Sequence, residues 1–161
     1  MDIRIGNGID VHKLSKGENF ILGGIKINYK YGILAHSDGD IVIHALIDSI
    51  LGGLSLGDIG TYFPSNDPAL KDVNSQSLLN QVLNKMNNLN YHIINTDITI
   101  LLQKPSLKKY KEVIKKNLSR LLKIQENKIS IKATTTDHLG FLGKQEGIAV
   151  FVTTLLNQDG S

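Results

Sequence analysis

The sequence contains no cysteine and no tryptophan, and only 6% of its 161 residues are aromatic. Without cysteine there is no disulfide bond, no thiolate nucleophile and no cysteine-ligated metal site. No apolar run approaches the roughly 18 residues of a membrane span, and the N-terminal stretch MDIRIGNG lacks the apolar segment of a signal peptide. We therefore expect no membrane partner. Any metal must be bound by histidine and carboxylate groups, which suit zinc, manganese or magnesium.

The charge is nearly balanced, with 18 Lys and Arg against 15 Asp and Glu and a net charge of +3. Such a small excess does not indicate a nucleic-acid-binding surface, so we expect no nucleic-acid partner. A length of 161 residues with 41% hydrophobic residues predicts one globular domain with a substantial core. We place this domain at residues 1–157, followed by a short polar C-terminal tail at 158–161.

Hydrophobic periodicity predicts strands and helices in the order ββααβαββ. Strand patterns cover residues 3–12, 20–27, 91–103, 128–136 and 147–156. Helical patterns follow Asp40, Asn74 or Ser75, and Ser106, which are all residue types that favour helix N-caps. The sequence contains no internal repeat and no obvious linker. It therefore predicts a single α+β domain, with helices on one face of a mixed β-sheet.

Two separate stretches contain candidate metal ligands. In GNGIDVH, Asp10 and His12 lie on the same side of the first predicted strand, because residues i and i+2 of a strand face the same way. In AHSDGDIVIHAL, His44 lies on the first predicted helix. One aspartate and two histidines are a common zinc ligand set that leaves a position for water or substrate. The residues alone also allow a core role for His44, with Asp38 and Asp40 as turn and cap residues.

Two further stretches are rich in polar groups. In LGDIGTYFPSND, Asp58 and the backbone NH groups near Gly60 could bind the hydroxyls of a polyol, although an ordinary surface loop fits equally well. KATTTDHLGFLGK offers threonine hydroxyls, Lys132 and Asp137 to phosphates and a metal, but threonine runs are also typical of strands. The chain has neither a G-x-S-x-G nor a Walker motif. These features indicate a diphosphate held by cations, because phosphoryl chemistry depends mainly on positioning and charge neutralisation.

The motifs G-x-G-x-D-V-H, A-H-S-D-G-D with H-A-L, L-G-D-I-G with F-P, and I-K-A-T-T-T with G-F occur in this order. Together they resemble the 2-C-methyl-D-erythritol 2,4-cyclodiphosphate synthase family over essentially the whole chain. The resemblance implies a phosphorus–oxygen lyase of non-mevalonate isoprenoid biosynthesis. Its substrate would be 4-diphosphocytidyl-2-C-methyl-D-erythritol 2-phosphate, whose 2-phosphate attacks the β-phosphate and releases CMP. It also implies a homotrimer with interfacial active sites, zinc, and a second divalent ion, magnesium or manganese.

The resemblance also implies roles for individual residues. Asp10, His12 and His44 would bind zinc, and Asp137 would bind the second divalent ion. His36 and Thr135 would be the catalytic residues that stabilise the transition state. The implied substrate-binding residues are Asp10, Val11, His12, His36, Ser37, Asp58, Ile59, Gly60, Phe63, Pro64, Ser65, Asn66, Asp67, Leu102, Gln103, Lys104, Pro105, Ser106, Leu107, Lys108, Thr134, Thr135, Thr136, Asp137, Phe141 and Lys144. Residues near 102–108, together with Thr134, would form the cytidine pocket from the neighbouring subunit.

Three positions depart from the family pattern. Asp137 replaces the usual glutamate, Lys144 replaces an arginine, and Lys104-Pro105-Ser106 replaces A-P-K. None of these changes touches the zinc ligands, so we expect altered affinity rather than a different reaction.

Two other functions remain open at this point. One is a zinc-dependent nucleotide phosphohydrolase that uses water as the nucleophile, and the other is a non-catalytic trimer that binds a nucleotide or an isoprenoid. The family resemblance implies a cytoplasmic protein in a bacterium. In a eukaryote it implies a protein of a plastid-type organelle whose transit peptide has been removed.

Overall fold

The structure, a computed structural model, describes residues 2–158. The strands are β1 (Ile3–Lys16), β2 (Ile21–Leu22), β3 (Ile25–Lys26), β4 (Tyr31–Ile33), β5 (Tyr91–Leu101), β6 (Ile129–Thr134) and β7 (Gly147–Gln158). The α-helices are α1 (Ile41–Gly53), α2 (Ile59–Tyr62), α3 (Ser75–Asn88), α4 (Lys111–Leu122) and α5 (Gly140–Gly143), with 3-10 turns at Pro68–Leu70 and Glu126–Lys128. Of the tail predicted at 158–161, Gln158 belongs to β7 and residues 159–161 lie outside the described part.

The main sheet has five strands in the order β4-β1-β7-β5-β6. The pairs β1–β4, β1–β7 and β5–β7 are antiparallel, whereas β5 and β6 are parallel. The two remaining strands, β2 and β3, form a small antiparallel hairpin of their own. The predicted α+β domain with a mixed sheet is therefore confirmed. Within residues 2–158, none of the helices is long and apolar enough to cross a membrane.

The helices cover one face of the main sheet. Helix α1 packs on β1 and β7, α3 contacts α1 and β5, and α4 contacts β6. Side chains alternate along each strand, so Val150 and Val152 are fully buried on the helical face while Phe151 between them is 39% exposed. On β1, Ile5 is 70% and Ile9 is 51% exposed on the face without helices. That face therefore presents apolar side chains that no other described element covers.

Two glycines in GNGIDVH allow the backbones of β1 and α1 to touch. A Cβ atom on Gly6 would lie 1.7 Å from the carbonyl oxygen of Ser49, and one on Gly8 would lie 1.8 Å from that of Ala45. Any side chain would overlap these backbone atoms, which cannot rotate away. The contact holds His44, the neighbour of Ala45, against the part of β1 that carries Asp10.

A fully buried carboxylate joins the start of α1 to the small hairpin. One Asp40 oxygen accepts the backbone NH of Ile43 at 3.1 Å and that of Gly23 at 2.9 Å, and the other accepts the NH of Gly24 at 2.6 Å. The predicted N-cap at Asp40 is confirmed. The single strand predicted at 20–27 is wrong, because Gly23 and Gly24 have φ values of +57° and +78° and turn the chain back.

Two other sequence predictions can be compared with the helices that form. Asn74 caps α3, as one of the two predicted alternatives, by accepting the NH of Gln76 at 2.8 Å. The helix predicted after Ser106 forms as α4, but its predicted start is wrong, because α4 begins only at Lys111. The Ser106 hydroxyl instead accepts the backbone NH of Lys108 at 3.4 Å.

Candidate metal and substrate site

The three predicted metal ligands meet between β1 and α1. Asp10 and His12 project from the helical face of β1, and His44 projects from the first turns of α1. The two oxygens of Asp10 lie 3.3 Å from His12 Nε2 and 3.3 Å from His44 Nδ1. One ligand atom from each residue lies within 4.8 Å of the other two. A carboxylate oxygen and two imidazole nitrogens at this spacing fit zinc, which takes such donors at about 2.0–2.2 Å.

Each histidine turns its other ring nitrogen towards a fixed hydrogen-bond partner. His12 Nδ1 lies 3.0 Å from the carbonyl oxygen of Leu34. His44 Nε2 lies 2.9 Å from the hydroxyl of Ser75 and 3.3 Å from that of Ser37. Outer hydrogen bonds of this kind orient the imidazole ligands of metal sites.

The ion pairs shift the protonation of the ligand set. Burial raises the pKa of Asp10, but the hydrogen bonds and positive charges of His12 and His44 outweigh it and lower this pKa to about 2. The hydrogen bond to Asp10 raises the pKa of His12, and burial opposes that shift. Asp10 is therefore ionised at neutral pH and offers a negatively charged oxygen that a cation could bind.

A cavity of about 310 Å³ opens beside the three ligands. It is lined by Asp10, His12 and His44 and, among the predicted substrate-binding residues, by His36, Ser37, Ile59, Gly60, Phe63, Pro64 and Ser65. The structure thus brings together the first three of the four motifs. Helix α2 provides part of the wall, and Asp58 starts this helix by accepting the NH of Thr61 at 2.9 Å.

The predicted residues of 102–108 and 134–137 form a second cluster at the ends of the parallel strands β5 and β6. The backbone NH of Leu102 donates to the carbonyl of Thr134 at 3.0 Å, and that of His138 donates to the side chain of Gln103 at 3.3 Å. Within residues 2–158, nothing from the 102–108 or 134–144 segments lines the cavity beside the metal ligands. In one chain, the predicted site therefore consists of two separate halves.

Several predicted residues point away from the cavity of their own chain. The Val11 side chain lies on the face of the sheet without helices and is 49% exposed. Asp67 caps the 3-10 turn that follows it, by accepting the NH of Ala69 at 2.9 Å, and Asn66 precedes it. Asp137 is exposed with a φ of +54°. Thr135 and Lys144 are exposed as well, and Phe141 is 48% exposed.

Sequence reasoning missed Asp48, which is half-buried and lines the cavity. Its carboxylate accepts the backbone NH of Ile59 at 2.7 Å and so fixes the start of α2. Burial raises the pKa of Asp48, while the hydrogen bond from Ile59 opposes this and the negative charge of Asp58 adds to it. The sequence contained a signal for this residue, because Asp48 follows His44 by four residues and therefore lies on the same face of α1.

Comparisons with known proteins identify the family and the fold of the chain. The model of the YgbB family matches residues 3–157. The 2-C-methyl-D-erythritol 2,4-cyclodiphosphate synthase of Francisella philomiragia is 50% identical over 159 residues, covering 98% of this chain and all of the relative. The solved structure of the bifunctional IspDF from Campylobacter jejuni superposes with a TM-score of 0.94 at 40% identity, covering 98% of this chain and 43% of that protein.

A second solved structure, the CDP complex of IspF from Plasmodium falciparum, has a TM-score of 0.87 at 39% identity and covers 98% of this chain and 97% of the neighbour. The chain spans about two fifths of the bifunctional relatives that it matches. The family match covers both halves of the predicted site as well as the sheet that holds them. By this match and by its relatives, the chain belongs to the YgbB family, that of the 2-C-methyl-D-erythritol 2,4-cyclodiphosphate synthases.

Proposed function

We propose that this chain converts 4-diphosphocytidyl-2-C-methyl-D-erythritol 2-phosphate into 2-C-methyl-D-erythritol 2,4-cyclodiphosphate and CMP. One observation carries the proposal: Asp10, His12 and His44 converge beside a cavity in a chain whose residues 3–157 match the YgbB family. The printed name of the Francisella philomiragia relative is that of this synthase, and the Plasmodium falciparum neighbour is a complex with CDP. Both support a cytidine nucleotide as part of the substrate.

The proposed reaction needs no nucleophile from the protein. An oxygen of the substrate's 2-phosphate forms a bond to the β-phosphorus, and the bond from that phosphorus to the bridging oxygen breaks. The bridging oxygen leaves with the electron pair as part of CMP, so no water is consumed. A chain without cysteine is consistent with such an intramolecular transfer. The protein's task is then to position the two phosphates and offset their charge.

The described residues suit this task. Asp10, His12 and His44 would hold zinc, and Asp137 would hold magnesium or manganese. Bound divalent cations act as Lewis acids on phosphoryl oxygens and neutralise the charge of the leaving group. His36 would donate a hydrogen bond to a phosphate oxygen, and Thr135 would do so from the other half of the site. Ser37 and the residues from Asp58 to Gly60 would bind the methylerythritol part.

A homotrimer would unite the two halves of the site. The face without helices carries Ile5, Ile9, Val11 and Phe151, each at least 39% exposed. An apolar face of this kind is typical of an interface between copies of a chain. Packing around a threefold axis would place residues 102–108 and 134–137 of one subunit beside the metal ligands of the next.

Turnover can be followed directly by phosphorus NMR. The purified chain, supplied with the diphosphocytidyl substrate, zinc and magnesium, should yield CMP and the cyclic diphosphate in equal amounts. A linear phosphate product would favour the phosphohydrolase, and binding without turnover would favour the non-catalytic trimer. Either result from folded protein would overturn the proposal.

Subunit mixing tests whether the site is shared. His44→Ala removes a metal ligand and Thr135→Ala removes a hydroxyl of the other half, so each variant alone should be inactive. If the two halves come from neighbouring subunits, random co-assembly of equal amounts should restore about a quarter of the sites. The matched control mixes His44→Ala with Asp10→Ala, both in the metal half, and should restore none. No recovery in the first mixture would contradict an interfacial site.

A further inference from the structure

Ser75 is a fully buried serine placed between a carboxylate and a metal-ligand histidine. Its Oγ lies 2.9 Å from His44 Nε2 and makes a short hydrogen bond to one oxygen of Asp38. Its backbone NH donates to the other oxygen of Asp38 at 2.9 Å. Helix α3 does not need this hydroxyl, because Asn74 already caps its start. The Ser75 side chain therefore has another role.

The direction of these hydrogen bonds follows from what each group can donate. An ionised carboxylate has no hydrogen and can only accept, so the hydroxyl of Ser75 donates to Asp38. The oxygen of that hydroxyl then offers a lone pair to His44, and His44 Nε2 must carry the hydrogen of the contact. In a neutral imidazole this leaves Nδ1 without hydrogen. Ser37, at 3.3 Å from the same Nε2, is the more distant of the two hydroxyls.

The ligand set lies on the other side of the ring. His44 Nδ1 is the nitrogen that lies 3.3 Å from Asp10, so the nitrogen that Ser75 does not contact is the one that faces the ligand set. His12 presents its other ring nitrogen to Asp10. The carbonyl of Leu34 accepts a hydrogen bond from His12 Nδ1, so Nε2 faces Asp10. The two histidines therefore use different nitrogens, and each choice is fixed by an outer acceptor.

We propose that Ser75 and Asp38 are positioning residues of the metal site, which hold His44 in the tautomer and orientation that present Nδ1 to the metal. The inference rests on the metal role proposed above for Asp10, His12 and His44. It extends the site by two residues. In sequence, Ser75 lies 31 positions from His44 and 37 positions from Asp38. Outer partners of this kind change metal affinity by about 10- to 100-fold when they are removed.

The test compares two variants with a matched control. Ser75→Ala removes the hydroxyl that contacts His44. Asp38→Asn keeps the shape but cannot accept from both the hydroxyl and the NH of Ser75, since one of its two atoms becomes a donor. Ser77→Ala is the control, because Ser77 is an exposed serine of the same helical turn whose hydroxyl donates to the carbonyl of Asn74 at 2.7 Å. It loses an equivalent hydroxyl without touching the site.

Two readouts separate positioning from general stability. The zinc Kd of each metal-free protein is measured by competition with a chromophoric chelator, and the histidine tautomers are read by long-range ¹H–¹⁵N NMR. We expect Nε2 of His44 to carry a hydrogen in the wild type and to lose this preference in Ser75→Ala. We expect zinc binding to weaken about 10- to 100-fold in both variants and to stay unchanged in Ser77→Ala.

The possible outcomes are distinct. If the wild type binds no zinc at this site, the proposed metal role fails and the positioning role fails with it. If the wild type binds zinc and both variants bind it as Ser77→Ala does, the positioning role alone is refuted. An Nε2 of His44 that carries no hydrogen in the metal-free wild type also refutes it, whether or not the variants fold.

Discussion

Gly8→Ala would test whether the contact between β1 and α1 sets the spacing of the metal ligands. The new Cβ would lie 1.8 Å from the carbonyl oxygen of Ala45, and Cβ atoms essentially never approach other atoms within 3.0 Å. Helix α1 would therefore have to move away from β1 by about 1.2 Å. Because the backbone fixes the position of the Cβ and the oxygen belongs to the backbone, no side-chain rotation can relieve the overlap.

The shift should cost both stability and metal affinity. Overpacking of a core typically costs about 1–3 kcal/mol, and we expect about 3 kcal/mol here because the backbone itself must move. Functional groups must hold their positions to within about 0.5 Å, so a movement of His44 by more than that separates it from Asp10 and His12. We expect zinc binding to weaken at least as much as on loss of an outer hydrogen bond, about 10- to 100-fold.

Urea unfolding gives the free energy of unfolding, and chelator competition gives the zinc Kd. Gly52→Ala is the matched control, because Gly52 lies in α1 and its Cβ would meet nothing closer than the carbonyl of Asn7 at 3.8 Å. That change should leave zinc binding intact and raise stability by up to about 1 kcal/mol, the usual gain of alanine over glycine in a helix. A Gly8→Ala protein with the stability and zinc affinity of the wild type would refute the reasoning.

Three further changes test other parts of the molecule. Burial raises the pKa of Asp40 to about 6, so its stabilising contribution is full below about pH 4 and is lost as the pH rises through 6. In urea unfolding, the free energy of unfolding of the wild type should exceed that of Asp40→Asn by less at pH 7 than at about pH 4, with a decrease in this difference of up to about 3 kcal/mol. A difference that increases with pH would contradict the prediction. Asp48→Ala removes the acceptor of the Ile59 NH and should raise KM roughly tenfold with less effect on kcat; unchanged steady-state constants would refute it. Ile5→Glu puts a charge on the face without helices and should convert the proposed trimer to monomers in sedimentation velocity, whereas an intact trimer would exclude Ile5 from the interface.

The parts of the fold that were predictable are those decided by nearby residues. Helix α1 begins after Asp40 because the cap and the apolar periodicity lie within one short segment. The same local signal failed at Ser106. Burial of Leu107 and the hydrogen bond from the Asn28 NH to the Tyr110 hydroxyl hold residues 106–110 outside α4. The glycine pair at 23–24 was visible in the sequence, but its positive φ angles were not.

In the candidate site, too, the residues that could be predicted are those with local sequence signals. Asp10 and His12 could be paired from the period of a strand, and His44 joined them because one aspartate and two histidines form a familiar ligand set. Ser75 could not be found in this way. It resembles an ordinary helix-start serine, and its partners Asp38 and His44 are distant in sequence. Only the packing of α3 against α1 brings these groups together.

Strand β1 places two different requirements on neighbouring residues. Asp10 and His12 face the cavity, while Ile9 and Val11 face the uncovered side of the sheet. A substitution alters one of these sets, but inserting or deleting a single residue before Ile9 would exchange them. The proposed ligands would then face the uncovered side of the sheet, and the apolar side chains would face the cavity. During evolution, changes of length should therefore accumulate in the exposed turn at Gly17 and be eliminated within β1.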